Sequence, residues 1–153
     1  MRRLLPLILL HCLAASGGER VNVEQPIMTL APTHERLREW CGADGHYDAC
    51  TRFVGFRLEA SCAPDGRIIA TARFRPWIIL RNRHSLAHEH DHIADVRRAV
   101  EVFLTGLESL DPASPEQCRA RVLEETTTFG NTMRAYALAS NLERHPILRK
   151  ARK

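Results

Sequence analysis

The segment that decides the fold begins at residue 85 and reads Ser85-Leu86-Ala87-His88-Glu89-His90-Asp91-His92. It starts a stretch of helical periodicity that runs from Ser85 to Leu110. The apolar side chains of this stretch recur at intervals of three and four residues, which is the spacing of one helix face: Val96, Val100, Phe103, Leu104 and Leu107. The sequence therefore predicts a long amphipathic helix with a cluster of histidines in its first turns.

In such a helix His88 and His92 project from one face on successive turns, because each residue advances by about 100°. Both imidazoles can then bind one metal ion, with Glu89 beside them. The run fits the pattern HExxH, in which the histidines bind zinc and the glutamate takes a proton from the water that attacks a carbonyl group. His88 and His92 are the predicted zinc ligands and Glu89 is the predicted general base. His90 points away from the pair and is predicted to be solvated.

Two segments before the helix alternate between apolar and polar residues, as half-buried strands do. The first runs from Arg52 to Ala60 and the second from Arg67 to Leu80, and the turn residues Ala63-Pro64-Asp65-Gly66 stand between them. An antiparallel hairpin is therefore predicted. Pro76 interrupts the second segment and predicts an edge strand or a bulge, because proline cannot donate to a ladder. The predicted inward side chains are Val54, Phe56, Leu58, Ile68, Ala70, Ala72 and Phe74.

Two more helices are predicted from their starting signals. Thr33 to Trp40 forms one or two turns with Thr33 as the N-cap. Asp111 to Pro115 breaks the long helix, and Ser114 followed by Pro115 gives a capped start for a second long helix that ends near Arg144.

A strand, a helix that carries HExxH and a second long helix, in that order, resemble the zincins, the metallopeptidases that share this motif. The resemblance covers roughly Gly66 to Leu142. It implies an α+β zincin-like fold with a small antiparallel sheet, an active-site helix and a second long helix. It also implies a Zn²⁺ cofactor, hydrolysis of peptide bonds in a protein or peptide substrate, and a strand from Arg67 to Leu80 that holds the substrate in extended form.

A catalytic zinc needs a third protein ligand. The metzincin subgroup is excluded because Arg98 stands where its last ligand would be. Zincins of the gluzincin type take a glutamate from a second helix, which here implies Glu124 or Glu125. Glu124 is preferred because its helix stripe is small and polar, and the surrounding pattern Leu-Glu-x-x-Thr-x-Phe-Gly is similar to an acidic motif in some small bacterial secreted zinc-protease-like domains.

The first residues predict export. A basic start, Met1-Arg2-Arg3, precedes a short apolar run from Leu4 to Leu10, and small residues follow. This order is typical of a signal peptide, expected over residues 1–16, and the run is too short to span a bilayer. Residues 17–153 then form a single domain that is secreted or periplasmic. The segment 17–32 has little periodicity and is expected to be an extended arm.

Four cysteines remain after such a cleavage, and an oxidising compartment predicts that they form two disulfides. Cys50 and Cys62 flank a strand that would hold them about 35 Å apart, so they cannot pair with each other. Two pairings stay open: Cys41 with Cys50 plus Cys62 with Cys118, or Cys41 with Cys62 plus Cys50 with Cys118.

The net charge of +4 leaves several kinds of partner open. The basic residues at the end of the chain are expected to form a solvated terminus rather than a specific nucleic-acid site. Two other functions compete with a peptidase: a zinc-stabilised secreted binding module or inactive relative, and a hydrolase of cell-wall amide bonds. Glu89 argues against a purely structural zinc site, which would not need it. The oligomeric state does not follow from the sequence.

Overall fold

The computed structural model of the protein describes residues 19–42, 48–112 and 114–144. These residues form an α+β fold in which four strands make one sheet. In chain order the elements are β1 (Val21–Val23), β2 (Ile27–Leu30), α1 (His34–Cys41), β3 (Ala49–Cys62), β4 (Ile68–Leu80), a 3₁₀ turn (Arg83–Ser85), α2 (Leu86–Glu108) and α3 (Pro115–Arg144). The predicted signal peptide lies outside the described residues.

β3 and β4 form the predicted antiparallel hairpin, with Cys62 opposite Ile68 at the turn and Ala49 opposite Leu80 at the far end. The turn closes through a hydrogen bond from the Gly66 amide to the Ala63 carbonyl. Gly66 has a φ of 87°, a conformation that glycine adopts without steric cost. Local turn chemistry therefore accounts for the pairing of these two strands.

The sheet is mixed, and the prediction of a purely antiparallel sheet was wrong. β1 and β2 pair with β4 in parallel, one after the other along the edge that β3 leaves open. β4 is thus the central strand and not the edge strand that Pro76 suggested. Pro76 is tolerated because it lies between the two short ladders on this side of β4. It follows Phe74, which pairs with Val23, and precedes Trp77, which pairs with Ile27.

An irregularity does occur near Pro76, but it lies in the neighbouring strand. The β3 register shifts by one residue between Val54 and Arg57, where Gly55 has a φ of 64°. Such a bulge reverses the inward and outward alternation. Phe53 consequently packs against the core, whereas Val54, predicted to face inward, is 37% exposed.

The main core lies between the inner face of β4 and the two long helices. Alternate residues of β4 face α2, whose apolar stripe is the predicted one, and α3 adds Cys118, Phe129 and Met133. The two helices are antiparallel, because the ring centroids of Phe103 in α2 and Phe129 in α3 lie 5.1 Å apart, while Asp95, earlier in α2, accepts a hydrogen bond from Arg144 at the end of α3. The start of α2 therefore lies beside the end of α3.

The opposite face of the sheet is covered in part by α1. Thr33 caps this helix as predicted, since its Oγ1 accepts a hydrogen bond from the Arg36 amide. Leu37 is fully buried in a second cluster that also contains Ile79, on the outer face of β4. The inner and outer faces of β4 are thus both used for packing.

The two disulfides join Cys41 to Cys50 and Cys62 to Cys118, which is the first of the two predicted pairings. One ties α1 to the start of β3, and the other ties the hairpin to α3. Bonds of this kind fit a protein of an oxidising compartment. A search of the described helices finds none with the length and apolar content needed to cross a bilayer.

Candidate functional site

Three side chains in the first turns of α2 converge: His88, Glu89 and His92. One potential ligand atom from each lies within 4.8 Å of the other two. The Nε2 atoms of the two histidines are 3.1 Å apart, and their rings stand nearly perpendicular. In the part of the chain that the structure describes, no other set of three or more histidine, cysteine or acidic side chains converges in this way.

The histidine pair has the spacing of two zinc ligands. Two nitrogens that bind one tetrahedral ion at about 2.0–2.1 Å lie about 3.3–3.4 Å apart. The observed 3.1 Å between the Nε2 atoms of His88 and His92 is close to this value. Imidazole nitrogens with a nearby carboxylate also form a donor set that suits zinc better than it suits calcium or magnesium. The two imidazoles therefore fit two of the three protein ligands that a catalytic zinc needs. Apart from Glu89, no described histidine, cysteine or acidic side chain converges with them to supply a third.

Two of the three side chains are buried, although both are polar. Glu89 is 2% exposed and His92 is 7% exposed. Burial of an ionisable group is costly unless hydrogen bonds or an opposite charge compensate. Thr51 of β3 supplies part of this compensation, because its hydroxyl donates to Glu89 Oε2 at 2.7 Å. The carboxylate is thus held between the helix and the sheet in one orientation.

A polar network fixes the position at which α2 begins. Asp48, just before β3, accepts hydrogen bonds from Arg81 Nε and Asn82 Nδ2 at the end of β4, both at 3.0 Å. The Asn82 side chain also accepts a bond from the His84 amide and so caps the 3₁₀ turn that leads into α2. His84, in the 3₁₀ turn, is exposed, as is His90.

His92 lines a cleft of about 750 Å³ between the sheet and the two long helices. β3 forms one wall with residues 51–55, and the C-terminal half of α3 forms the other. No described strand pairs with β3 on its outer side, so β3 is the edge strand next to the cleft. The lining side chains from the other elements are Trp77, Val96, Arg134, Ala137, Leu138, Ser140 and Asn141.

The structure does not bring Glu124 or Glu125 to the cluster, and their assignment as the third ligand is corrected. Glu124 is exposed and bonds Arg121, and Glu125 lies 3.6 Å from the same guanidinium. Ser140, which contacts α2 one turn after His92, is 16 residues further along α3, or about 24 Å at 1.5 Å per residue. Both glutamates therefore lie toward the opposite end of the helix pair.

Asp95 joins α2 to the end of α3, which forms one wall of the cleft. Its Oδ2 accepts hydrogen bonds from Arg144 Nε and, at 3.2 Å, from the Ser140 hydroxyl. The bond from Arg144 is the main reason that the pKa of Asp95 is held below its ordinary value, and the positive charges of Arg144 and Arg98 add to the effect. Since Asp95 lies one turn after His92, this contact fixes the end of α3 beside the pair of His88 and His92.

The contact between Asp95 and Arg144 should make the stability of the fold depend on pH. Because its folded pKa is lowered, ionised Asp95 stabilises the fold above its unfolded pKa of about 3.9, and this stability is lost as the pH falls through the lower folded value. Asp95→Asn should reduce the free energy of unfolding by about 1 kcal/mol near neutral pH, since Arg144 is partly exposed. Urea denaturation from pH 7 to pH 2.5 measures it. A difference between the two proteins that persists at the lowest pH would contradict the assignment.

Thr51 was not predicted as a partner of Glu89. Thr51 belongs to a strand whose position relative to α2 is set by tertiary packing, and no local pattern marks it. The wall formed by the end of α3 was not predicted either, and it follows from the antiparallel arrangement of the helices.

No model of a protein family matches this chain, and no significant match is found among curated proteins or among solved structures. The function is therefore inferred from the chemistry of the site.

Proposed function

We propose that the protein is a secreted zinc-dependent peptidase of the HExxH type with a zincin-like arrangement. One observation carries the proposal: the Nε2 atoms of His88 and His92 meet at 3.1 Å beside the buried carboxylate of Glu89, and His92 lines a cleft large enough for a peptide. A solvated helix face would have no reason to bury Glu89.

Each of the three residues has a role in this proposal. His88 and His92 would hold a zinc ion through their imidazole nitrogens. Such an ion would supply the Lewis acidity that activates the scissile carbonyl and the attacking water. Glu89 accepts the proton of the attacking water and passes it to the departing amine. Thr51 fixes the carboxylate orientation, so that proton transfer needs no rearrangement of a buried group.

The position of the cleft suggests how a peptide is held. The outer edge of β3 offers unpaired backbone groups next to the metal ligands, and an extended peptide can pair with such an edge. We therefore assign the pairing with substrate to β3 and not to β4, because β4 is the central strand of the sheet. Phe53, Val54 and Trp77 give the cleft an apolar surface for substrate side chains.

Metal content of the purified protein tests the proposal. Inductively coupled plasma mass spectrometry should find one zinc ion per chain, and His92→Ala should lose it because one of two imidazole ligands is gone. His90→Ala is the matched control, since His90 lies on the same helix turn but is exposed; this variant should keep its zinc. A correctly folded parent that binds no zinc would refute the proposal, and circular dichroism of all three proteins confirms that they are folded.

A further inference from the structure

A second, shallower hollow lies on the outer face of the sheet, near the β3 bulge. Its volume is about 310 Å³. Three of its lining residues are arginines, Arg57 from β3 and Arg73 and Arg75 from β4, and we name it the arginine hollow. The remaining lining residues are Glu24, Ile27, Val54 and Gly55.

The arginine hollow has more positive than negative charge. Glu24 is its one lining carboxylate, and it pairs with Arg75 at 2.5 Å. Arg73 reaches Glu59 only at 3.7 Å, and its Nε makes no hydrogen bond within the described part of the protein. Arg57 has no carboxylate partner among the described residues. Two guanidinium groups are therefore weakly compensated.

The hollow is continuous with the cleft. Val54 and Gly55 line both of them, because the cleft reaches around the edge of β3 at the bulge. The cleft carries two further arginines, Arg52 and Arg134, and none of its lining residues is acidic. Arg52 donates to the Trp40 carbonyl and Arg134 to the Asn131 side chain, so both cleft arginines have neutral partners. A ligand that crosses the bulge would meet positive charge on both sides.

We propose that the arginine hollow is an exosite for an acidic polypeptide segment of the substrate that occupies the cleft. The inference rests on the proposed function only in taking the cleft as the substrate site. Thr51 to Arg57 spans about 20 Å of strand, so an extended peptide of about ten residues reaches from one site to the other. The guanidinium groups of the hollow would then bind carboxylates of that peptide, since arginine pairs with a carboxylate in a bidentate way.

A polypeptide suits the hollow better than a nucleic acid. No aromatic side chain lines the hollow, so bases have no surface on which to stack. Ile27 and Val54 are 42% and 37% exposed and offer apolar contacts for side chains between the acids.

Binding to the zinc-loaded Glu89→Gln protein tests the exosite without requiring hydrolysis. The probe is a fluorescein-labelled peptide of about ten residues with an apolar half and a glutamate-rich half, measured by fluorescence polarisation. The double variant Arg57→Glu/Arg73→Glu should bind it at least about 10-fold more weakly at low salt, and the effect should shrink as salt is added. Arg57→Gln, which disturbs the sheet least, should weaken binding by about 2- to 5-fold.

The matched control is Arg38→Glu/Arg119→Glu, which changes the net charge equally at two exposed arginines that line neither the hollow nor the cleft. It should change the affinity by less than about 2-fold. Equal weakening by both double variants would reduce the effect to bulk charge and overturn the exosite, as would no weakening by the hollow variants. Tighter binding of a single-stranded oligonucleotide through Arg57 and Arg73 would overturn the choice of polypeptide. If the parent binds the peptide but never cleaves it, the proposed peptidase fails while the exosite stands.

Discussion

Replacing Glu89 with glutamine is expected to lower kcat/KM for peptide hydrolysis by about 100- to 10,000-fold, the usual contribution of a general base. The change removes one proton-accepting carboxylate and little else. Glutamine has nearly the same shape as glutamate, and its side-chain oxygen can still accept the hydrogen bond that the Thr51 hydroxyl gives to Glu89 Oε2. The histidine ligands are untouched, so the zinc content should stay at one ion per chain. Hydrolysis of a fluorogenic peptide mixture and metal analysis on the same samples measure both effects.

The control for this result is Glu101→Gln, the same chemical change on the same helix. Glu101 is exposed and pairs with Arg97, away from the cleft. Its loss should leave both activity and zinc content within about 2-fold of the parent, because an exposed ion pair contributes little. A Glu89→Gln protein that hydrolyses peptides as fast as the parent would remove Glu89 from the reaction. A folded parent that binds zinc without any hydrolysis would favour the zinc-stabilised binding module.

The elements that could be predicted from the sequence are those whose signals are local. The stripe on α2, the alternation in β3 and β4, the Thr33 cap and the break before Pro115 all depend on neighbours a few residues away. The four-residue spacing of His88 and His92 is a signal of the same kind. It predicted that the two imidazoles lie side by side, as the structure shows. Helix geometry alone is enough to place such a pair on one face.

The sheet could not be predicted in the same way, because its remaining pairs are made between distant residues. β1 and β2 are three and four residues long, and the segment that contains them has little periodicity. Their parallel pairing with β4 is what makes β4 central. The bulge at Gly55 had a similar effect on Val54, since one extra residue in a strand reverses which side chains face the core.

The error over Glu124 has a different cause, because the information needed to avoid it was in the sequence. A break of a few residues between two long helices predicts that they are antiparallel. In such a pair the start of α3 lies beside the end of α2, and the end of α3 lies beside the start of α2. Glu124, in the first half of α3, is therefore too far from the histidines at the start of α2. The assignment followed the gluzincin pattern, in which a second helix supplies a glutamate, and left out this constraint. Thr51, by contrast, depends on how α2 packs against β3, which no local pattern reveals.

Removing the disulfide between Cys62 and Cys118 is expected to lower the free energy of unfolding by about 4 kcal/mol. The bond joins residues 56 positions apart, so it restricts a large loop in the unfolded chain. Cys62→Ala/Cys118→Ala is the suitable variant, because Cys118 is fully buried and alanine adds no polar group to the core. Urea denaturation followed by circular dichroism gives the free energy of both proteins.

The second disulfide supplies the control for this prediction. Cys41 and Cys50 are nine positions apart, and the same loop-closure relation gives about 2.7 kcal/mol for Cys41→Ala/Cys50→Ala. Loss of the Cys62–Cys118 bond should therefore lower the free energy of unfolding by about 1.5 kcal/mol more than loss of the Cys41–Cys50 bond, because it opens the longer loop. The Cys62–Cys118 bond also anchors α3 to the hairpin, and α3 carries one wall of the cleft, so its loss should weaken peptide binding at temperatures where the other variant still binds. If the two double variants are destabilised equally, loop closure does not set the contribution of these bonds, and α3 is held in place by its apolar contacts with β3 and α2.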